Sequence, residues 1–122
     1  MKNAVVWSEI PVADLKRATA FYEKLLDGKL KAESFGPVNI ACFPYDEGGT
    51  GGCLVHGDGY EPSGKGTLTY LAATPNIDAA LERARGLRAM VLLPKTALPD
   101  EMGYIAHLMD CEGNRIGLHA MS

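Results

Sequence analysis

The stretch Ile105-Ala106-His107-Leu108-Met109-Asp110-Cys111-Glu112-Gly113-Asn114-Arg115-Ile116-Gly117-Leu118 reads as strand, tight turn, strand. A fainter copy lies upstream at Ile40-Ala41-Cys42-Phe43-Pro44-Tyr45-Asp46-Glu47-Gly48-Gly49-Thr50-Gly51-Gly52-Cys53. Laid without gaps, Ile40 meets Ile105, Ala41 meets Ala106, Glu47 meets Glu112, Gly48 meets Gly113 and Gly52 meets Gly117. The shift is a constant 65 residues (112 − 47). Self-similarity of that kind predicts two copies of one supersecondary unit.

Element order supports the repeat. Val5 to Val12 reads as a strand, with Trp7 and Glu9 on one face and Val6, Ser8, Ile10 and Val12 on the other. Asp14 offers an N-cap, Leu15, Ala18, Phe21, Tyr22, Leu25 and Leu26 recur at helical spacing, and Gly28 closes the run. A strand follows at about Leu30 to Ser34. Next comes a hairpin, Val38 to Tyr45 and Gly51 to His56, around a turn at Asp46 to Gly49. Residues 57–66 are rich in turn formers and form the expected linker. Beyond it the order recurs: strand Thr67 to Ala73, a helix started by Thr74-Pro75-Asn76 and closed by Gly86, strand Leu87 to Leu93, loop Pro94 to Glu101, and a hairpin of Tyr104 to Met109 with Arg115 to Ala120. The helix starts are offset by 62 residues (76 − 14), which sets Trp7 opposite Thr69. One domain is expected over residues 1–122, with module one at about 1–56 and module two at about 67–122.

The totals bound the partners. A net charge of −3 and a pI near 5.5 argue against nucleic acid or an acidic membrane as the main partner. No apolar run reaches membrane-span length and no basic-then-apolar leader opens the chain, so a cytoplasmic location is expected. Cys42, Cys53 and Cys111 are odd in number, widely spaced and lack a C-x-x-C, which favours free thiols over a disulfide framework or thiolate zinc site.

The run Trp7-Ser8-Glu9-Ile10-Pro11-Val12-Ala13-Asp14-Leu15-Lys16-Arg17-Ala18, with Phe21-Tyr22-Glu23-Lys24-Leu25, resembles the opening of proteins in the vicinal oxygen chelate superfamily. This superfamily includes glyoxalase I, bleomycin-resistance proteins and extradiol dioxygenases. Gly103 to Ala106 and Asp110-Cys111-Glu112-Gly113-Asn114-Arg115-Ile116-Gly117-Leu118 carry the same resemblance at the other end. The resemblance implies an α+β fold: two tandem βαβββ modules forming an open, cupped mixed β-barrel around a ligand cavity, with the helices outside. It also implies a homodimer. Metal-dependent members take ligands from the first and last strands of each module, positions that fall here on Trp7, Gly52, Thr69 and Gly117. Indole and glycine offer no side-chain ligand and a lone threonine hydroxyl is a poor one, so no metal and no other cofactor is expected.

Strand alternation predicts which side chains line the cavity. Trp7 and Glu9 turn inward from the first strand, Gly52, Leu54 and His56 from the fourth, Thr67, Thr69 and Leu71 from the fifth, and Gly117 and His119 from the last. Such a mixture of aromatic wall, hydroxyls, carboxylate and imidazole suits a small, partly polar organic molecule. Each residue also has a structural reading. Glu9 reads equally as a buried carboxylate with structural bonds, His119 as a solvent-facing residue near a chain end, His56 as a rim residue beside the linker and Trp7 as core. His107 reads as structural or exposed, Arg17, Glu23 and Lys24 as a solvated helix face, and the two acidic hairpin turns as turn chemistry.

The favoured function is metal-free binding of a small organic ligand, as in the bleomycin-resistance proteins. The alternative is a metal-independent lyase or isomerase in which Glu9 and His119 move protons. A regulatory ligand sensor on the same scaffold is a third reading.

Overall fold

The computed structural model describes residues 3–122, apart from the side chain of Phe35. Module one comprises strand β1 (Trp7–Pro11), helix α1 (Leu15–Leu26) and strands β2 (Lys31–Phe35), β3 (Val38–Cys42) and β4 (Gly51–His56). Module two comprises β5 (Tyr70–Ala72), α2 (Ile77–Gly86), β6 (Met90–Ala97), β7 (Tyr104–Met109) and β8 (Arg115–Ala120). The strands form two separate four-stranded mixed sheets, ordered β1-β4-β3-β2 and β5-β8-β7-β6. In each, the first strand runs parallel to the last and the other pairings are antiparallel. The sheets do not close into a barrel, leaving an open fold.

Local chemistry sets the helix ends. Asp14 and Asn76 cap α1 and α2, accepting from the Arg17 and Ala79 amides at 3.0 and 2.8 Å. The left-handed residue ending α1 is Asp27, one before the expected Gly28. Ile10, Val12 and Leu54 pack on Ala18, Tyr22 and Leu25 of α1, while Ala106, Leu108, Ile116 and Leu118 pack on Ile77, Ala80 and Leu81 of α2. These residues belong to one continuous core shared by the modules.

β1 (Trp7–Pro11) is shorter than the expected Val5 to Val12, β3 ends at Cys42 rather than Tyr45, and module two differs further. β5 is only Tyr70–Ala72, so Thr67–Thr69 lie ahead of the strand. Leu87 and Arg88 complete the end of α2 through amides bonded to carbonyls of its last turn, and β6 starts at Met90 instead. That strand runs on through Pro94 to Ala97, a segment expected to be loop. Proline is tolerated there because β6 is a sheet edge and its register shifts on both sides of Leu93.

The turn between β7 and β8 clasps module one. Asp110 is buried; Oδ1 accepts from the amides of Glu112 and Asn114 at 2.8 Å, and Oδ2 accepts from the Tyr22 hydroxyl and from Asn114 Nδ2. Burial and the Asp110 charge push the Tyr22 hydroxyl well above its ordinary pKa, so it stays a donor. Asn114 Nδ2 also donates to the Pro11 carbonyl at 2.8 Å. Glu112, its side chain 1% exposed, accepts from the Ala13 and Asp14 amides at 2.6 and 3.2 Å and from Arg17 at 2.7 Å. Arg17 is thus exposed, as expected, yet tied to a buried partner.

Burial opposes ionisation of Glu112, but the Ala13 amide, Arg17 and the Asp14 amide outweigh it and hold the carboxyl below its usual range. A depressed folded-state pKa contributes stability above the unfolded value of about 4.3, lost as pH falls through the folded one. Wild type is therefore expected to be more stable than Glu112→Gln at pH 7. The gap between their urea midpoints should close only below about pH 4. A gap independent of pH would show that shape, not charge, matters at this carboxyl.

Candidate functional site

The face of each sheet turned away from its helix carries the polar and aromatic side chains. In β8, Ile116 and Leu118 are buried toward α2, so Arg115, Gly117 and His119 occupy the opposite face. Tyr70 pairs with Gly117, which pairs in turn with His107, so the three sit in one row across β5, β8 and β7. In β1, Ile10 is buried toward α1, leaving Trp7 and Glu9 on the other face with Gly51 and Cys53, their partners in β4.

A ring lies over a glycine on each face. A Cβ at Gly117 would stand 2.4 Å from Tyr70 Cδ1, and one at Gly51 would stand 2.9 Å from both Trp7 Cζ3 and Tyr45 Cδ1. Trp7 and Tyr45 meet edge to face at 6.5 Å, and Tyr70 meets the His107 ring at 5.4 Å. Trp7 and Tyr70 are 40% and 44% exposed, so each bracket presents ring surface to solvent. Glycine is required beneath each ring because any side chain would displace it.

The residues singled out from the sequence do not share one cavity. Glu9, Thr67 and Thr69 line a small cleft of about 200 Å³ between the modules, together with Arg115. Thr69 and Leu71 line a second inter-module cleft of about 530 Å³ with Ser8, Gly52 and the end of α1. Trp7 belongs to a surface recess of about 510 Å³ with Tyr45 and Cys42. His119 Nε2 lies 2.7 Å from the Met102 carbonyl, and His119 lines neither of the two inter-module clefts.

Four orientations differ from simple strand alternation. Leu54 is fully buried against α1, and His56, on the same side, bonds the Val12 carbonyl at 3.0 Å and borders a groove along α1. Leu71 packs against the core, and Gly52 shares the side of Leu54. For Leu71 the reason is one residue in a turn. Val12 and Ala73 make equivalent last rungs, their amides bonding Val55 and His119 carbonyls at 2.9 Å. Two steps separate Val12 from the Asp14 cap, but three separate Ala73 from the Asn76 cap. Aligning the modules at their helix caps therefore transfers strand positions with inverted parity. The same rungs set Val55 against His119, an offset of 64 residues (119 − 55) rather than 65, so β4 is inverted as well: Gly117 corresponds to Cys53, and Tyr70 to Glu9.

A hydrogen-bonded group of Tyr70, His107 and Arg115 went unnoticed in the sequence. Tyr70 Oη lies 2.6 Å from His107 Nε2, and Arg115 Nη2 lies 2.9 Å from His107 Nδ1. Their positions 70, 107 and 115 show no motif spacing, and only the parity of β5 would have pointed to them. Burial, and then the Arg115 charge, lower the His107 pKa and keep the ring neutral. Cys53 is unreactive: burial, and then the charge of Glu9, push its thiol up to about 11. All three cysteines are free.

The metal used by some superfamily members does not fit here. The indole of Trp7, the glycines Gly52 and Gly117 and the lone hydroxyl of Thr69 occupy the strand positions concerned. Among the described residues, no three His, Cys, Asp or Glu side chains cluster as a metal would need. No helix among the described residues is long and apolar enough to cross a membrane.

Comparison with known proteins agrees with the fold. No curated protein matches the sequence. A glyoxalase/bleomycin resistance protein from Streptomyces sp. CB03234 superposes with a TM-score of 0.69 at 22% identity, covering 96% of this chain and 100% of that one. The genomically encoded fosfomycin resistance protein FosX from Listeria monocytogenes gives 0.67 at 19%, covering 98% and 92%. A glyoxylase/bleomycin resistance protein/dioxygenase domain from Frankia sp. EAN1pec gives 0.66 at 20%, covering 98% and 96%. At these identities the likeness establishes the fold alone. The family model matches residues 4–118, nearly the whole length, and the chain belongs to the Glyoxalase/Bleomycin resistance protein/Dioxygenase superfamily.

Proposed function

We propose that this protein binds a small, partly polar organic ligand without a metal, as a cytoplasmic homodimer. The observation that carries the reading is the pair of aromatic brackets, Trp7 with Tyr45 and Tyr70 with His107, each half exposed over a strand glycine. Aromatic side chains, with only two rotatable bonds, offer stacking surface at little entropic cost. Glu9, Thr67, Thr69 and Arg115 add polar groups in the cleft between the modules, and His119 adds an imidazole on the Tyr70 face. Two structural neighbours are named as bleomycin- and fosfomycin-resistance proteins, which supports an organic ligand.

Each bracket is one wall. Within one chain the two faces are joined by no aromatic contact, ion pair or side-chain hydrogen bond among the described residues. A second copy setting its Tyr70 face against the Trp7 face would supply the missing wall. The alternative of proton transfer by Glu9 and His119 has the same requirement, since in one protomer they stand on separate sheets. Binding is the simpler reading because it needs no such convergence.

Light scattering and native mass spectrometry of gently purified protein test this. The expected mass is twice the 13.1 kDa of one chain, with a small organic molecule retained or a library member quenching the single tryptophan, Trp7. A monomer whose Trp7 emission answers to no ligand would overturn the reading.

A further inference from the structure

Arginine has donors only, so the His107 nitrogen facing Arg115 must carry a lone pair. His107 is neutral, so its proton sits on the other nitrogen, Nε2. Nε2–H therefore donates to Tyr70 Oη across the 2.6 Å contact. That leaves the hydroxyl proton of Tyr70 outside this bond. Among the described residues no protein acceptor takes it. Tyr70 is 44% exposed, so this proton is open to an acceptor from outside the chain.

Resting on the ligand-binding reading, we propose that Tyr70 donates its hydrogen bond to a negatively charged oxygen of the bound ligand. His107 and Arg115 act as positioning residues: Arg115 fixes the tautomer, and His107 N–H holds the phenol oxygen and polarises its O–H bond. The fitting chemistry is an oxyanion delocalised over a planar body, of phenolate or enolate type. A phosphate would call for several cations, whereas Arg115 already spends Nε and Nη2 on His107. The same face carries the half-buried Ile105 and Met109, which suit an apolar body rather than a hydrated anion. Gly117 makes the arrangement possible by letting the Tyr70 ring cross β8 to reach β7.

The probe is 4-nitrophenolate, titrated by its absorbance against wild type and Tyr70→Phe, with neutral 4-nitroanisole as control. A hydrogen bond to a charged oxygen is worth about 1.5–3 kcal/mol, so Tyr70→Phe is expected to weaken the phenolate by about ten- to a hundredfold. It should leave nitroanisole unchanged. His107→Gln keeps an N–H donor and should recover part of the affinity that His107→Leu loses. Nitrogen-15 NMR of wild type, with no ligand present, should show His107 protonated at Nε2 and bare at Nδ1. Absence of saturable phenolate binding, equal affinity in Tyr70→Phe, or a proton on Nδ1 each overturns this assignment. The ligand-binding reading would then still stand or fall on its own mass-spectrometric and Trp7 test.

Discussion

Asp110→Ala is expected to remove about 3–5 kcal/mol of folding stability, the range for breaking a buried, paired charge. The loss should appear as a fall in urea midpoint at pH 7. Four donors converge on this carboxylate: the Tyr22 hydroxyl, the Glu112 and Asn114 amides, and Asn114 Nδ2. Truncation leaves them facing a void with no acceptor, and each unsatisfied buried donor costs about 1–3 kcal/mol before relaxation. The damage also spreads. Asp110 shapes the turn from which Glu112 and Asn114 reach the Pro11–Asp14 segment of module one. Against a typical total of about 5–15 kcal/mol, the variant should be marginal. Because these residues act as one network, Asp110→Ala combined with Glu112→Ala should cost clearly less than the sum of the two. A loss under about 1 kcal/mol for Asp110→Ala would show that the modules are held together by apolar packing alone.

Gly52→Ala is expected to cost about 3 kcal/mol, at the upper end for overpacking, whereas Gly117→Ala should cost under about 1 kcal/mol. The two glycines are partners in the sequence repeat, yet they face different obstacles. A Cβ at Gly52 would lie 2.7 Å from the Ser8 carbonyl oxygen, so the β1–β4 ladder must open to admit it. At Gly117 the obstacle is the Tyr70 ring, at 2.4 Å, and a half-exposed ring can swing aside. Gly117→Ala should therefore keep its melting temperature while His107 loses its Tyr70 contact, visible as a shifted His107 nitrogen signal. Equal destabilisation by the two substitutions would contradict the assignment of Gly52 and Gly117 to opposite sides of their sheets.

The fold was largely legible because its signals are local. Asp14 and Asn76 precede helical spacing by one residue, and the acidic turns sit between strands of matching length, so element order followed from short-range chemistry. Boundaries failed where tertiary position overrode propensity, as when Pro94 was admitted to an edge strand. The candidate site was legible only in part. Trp7 lies on the predicted face because β1 reaches its helix cap by the shorter turn. Leu71 does not, because the turn before Asn76 holds one residue more.

By itself the sequence determined two modules of βαβββ order, their helix caps, their hairpins and the family likeness, all written in neighbouring residues and in one repeat. The tertiary structure alone decided which side of each strand faces its helix, since side-chain direction has period two and a single extra turn residue reverses it. It alone joined Glu112 to Ala13 across 99 positions, and Tyr70 to His107 across 37. Contacts that distant carry no local pattern; they exist only once the strands between them have paired.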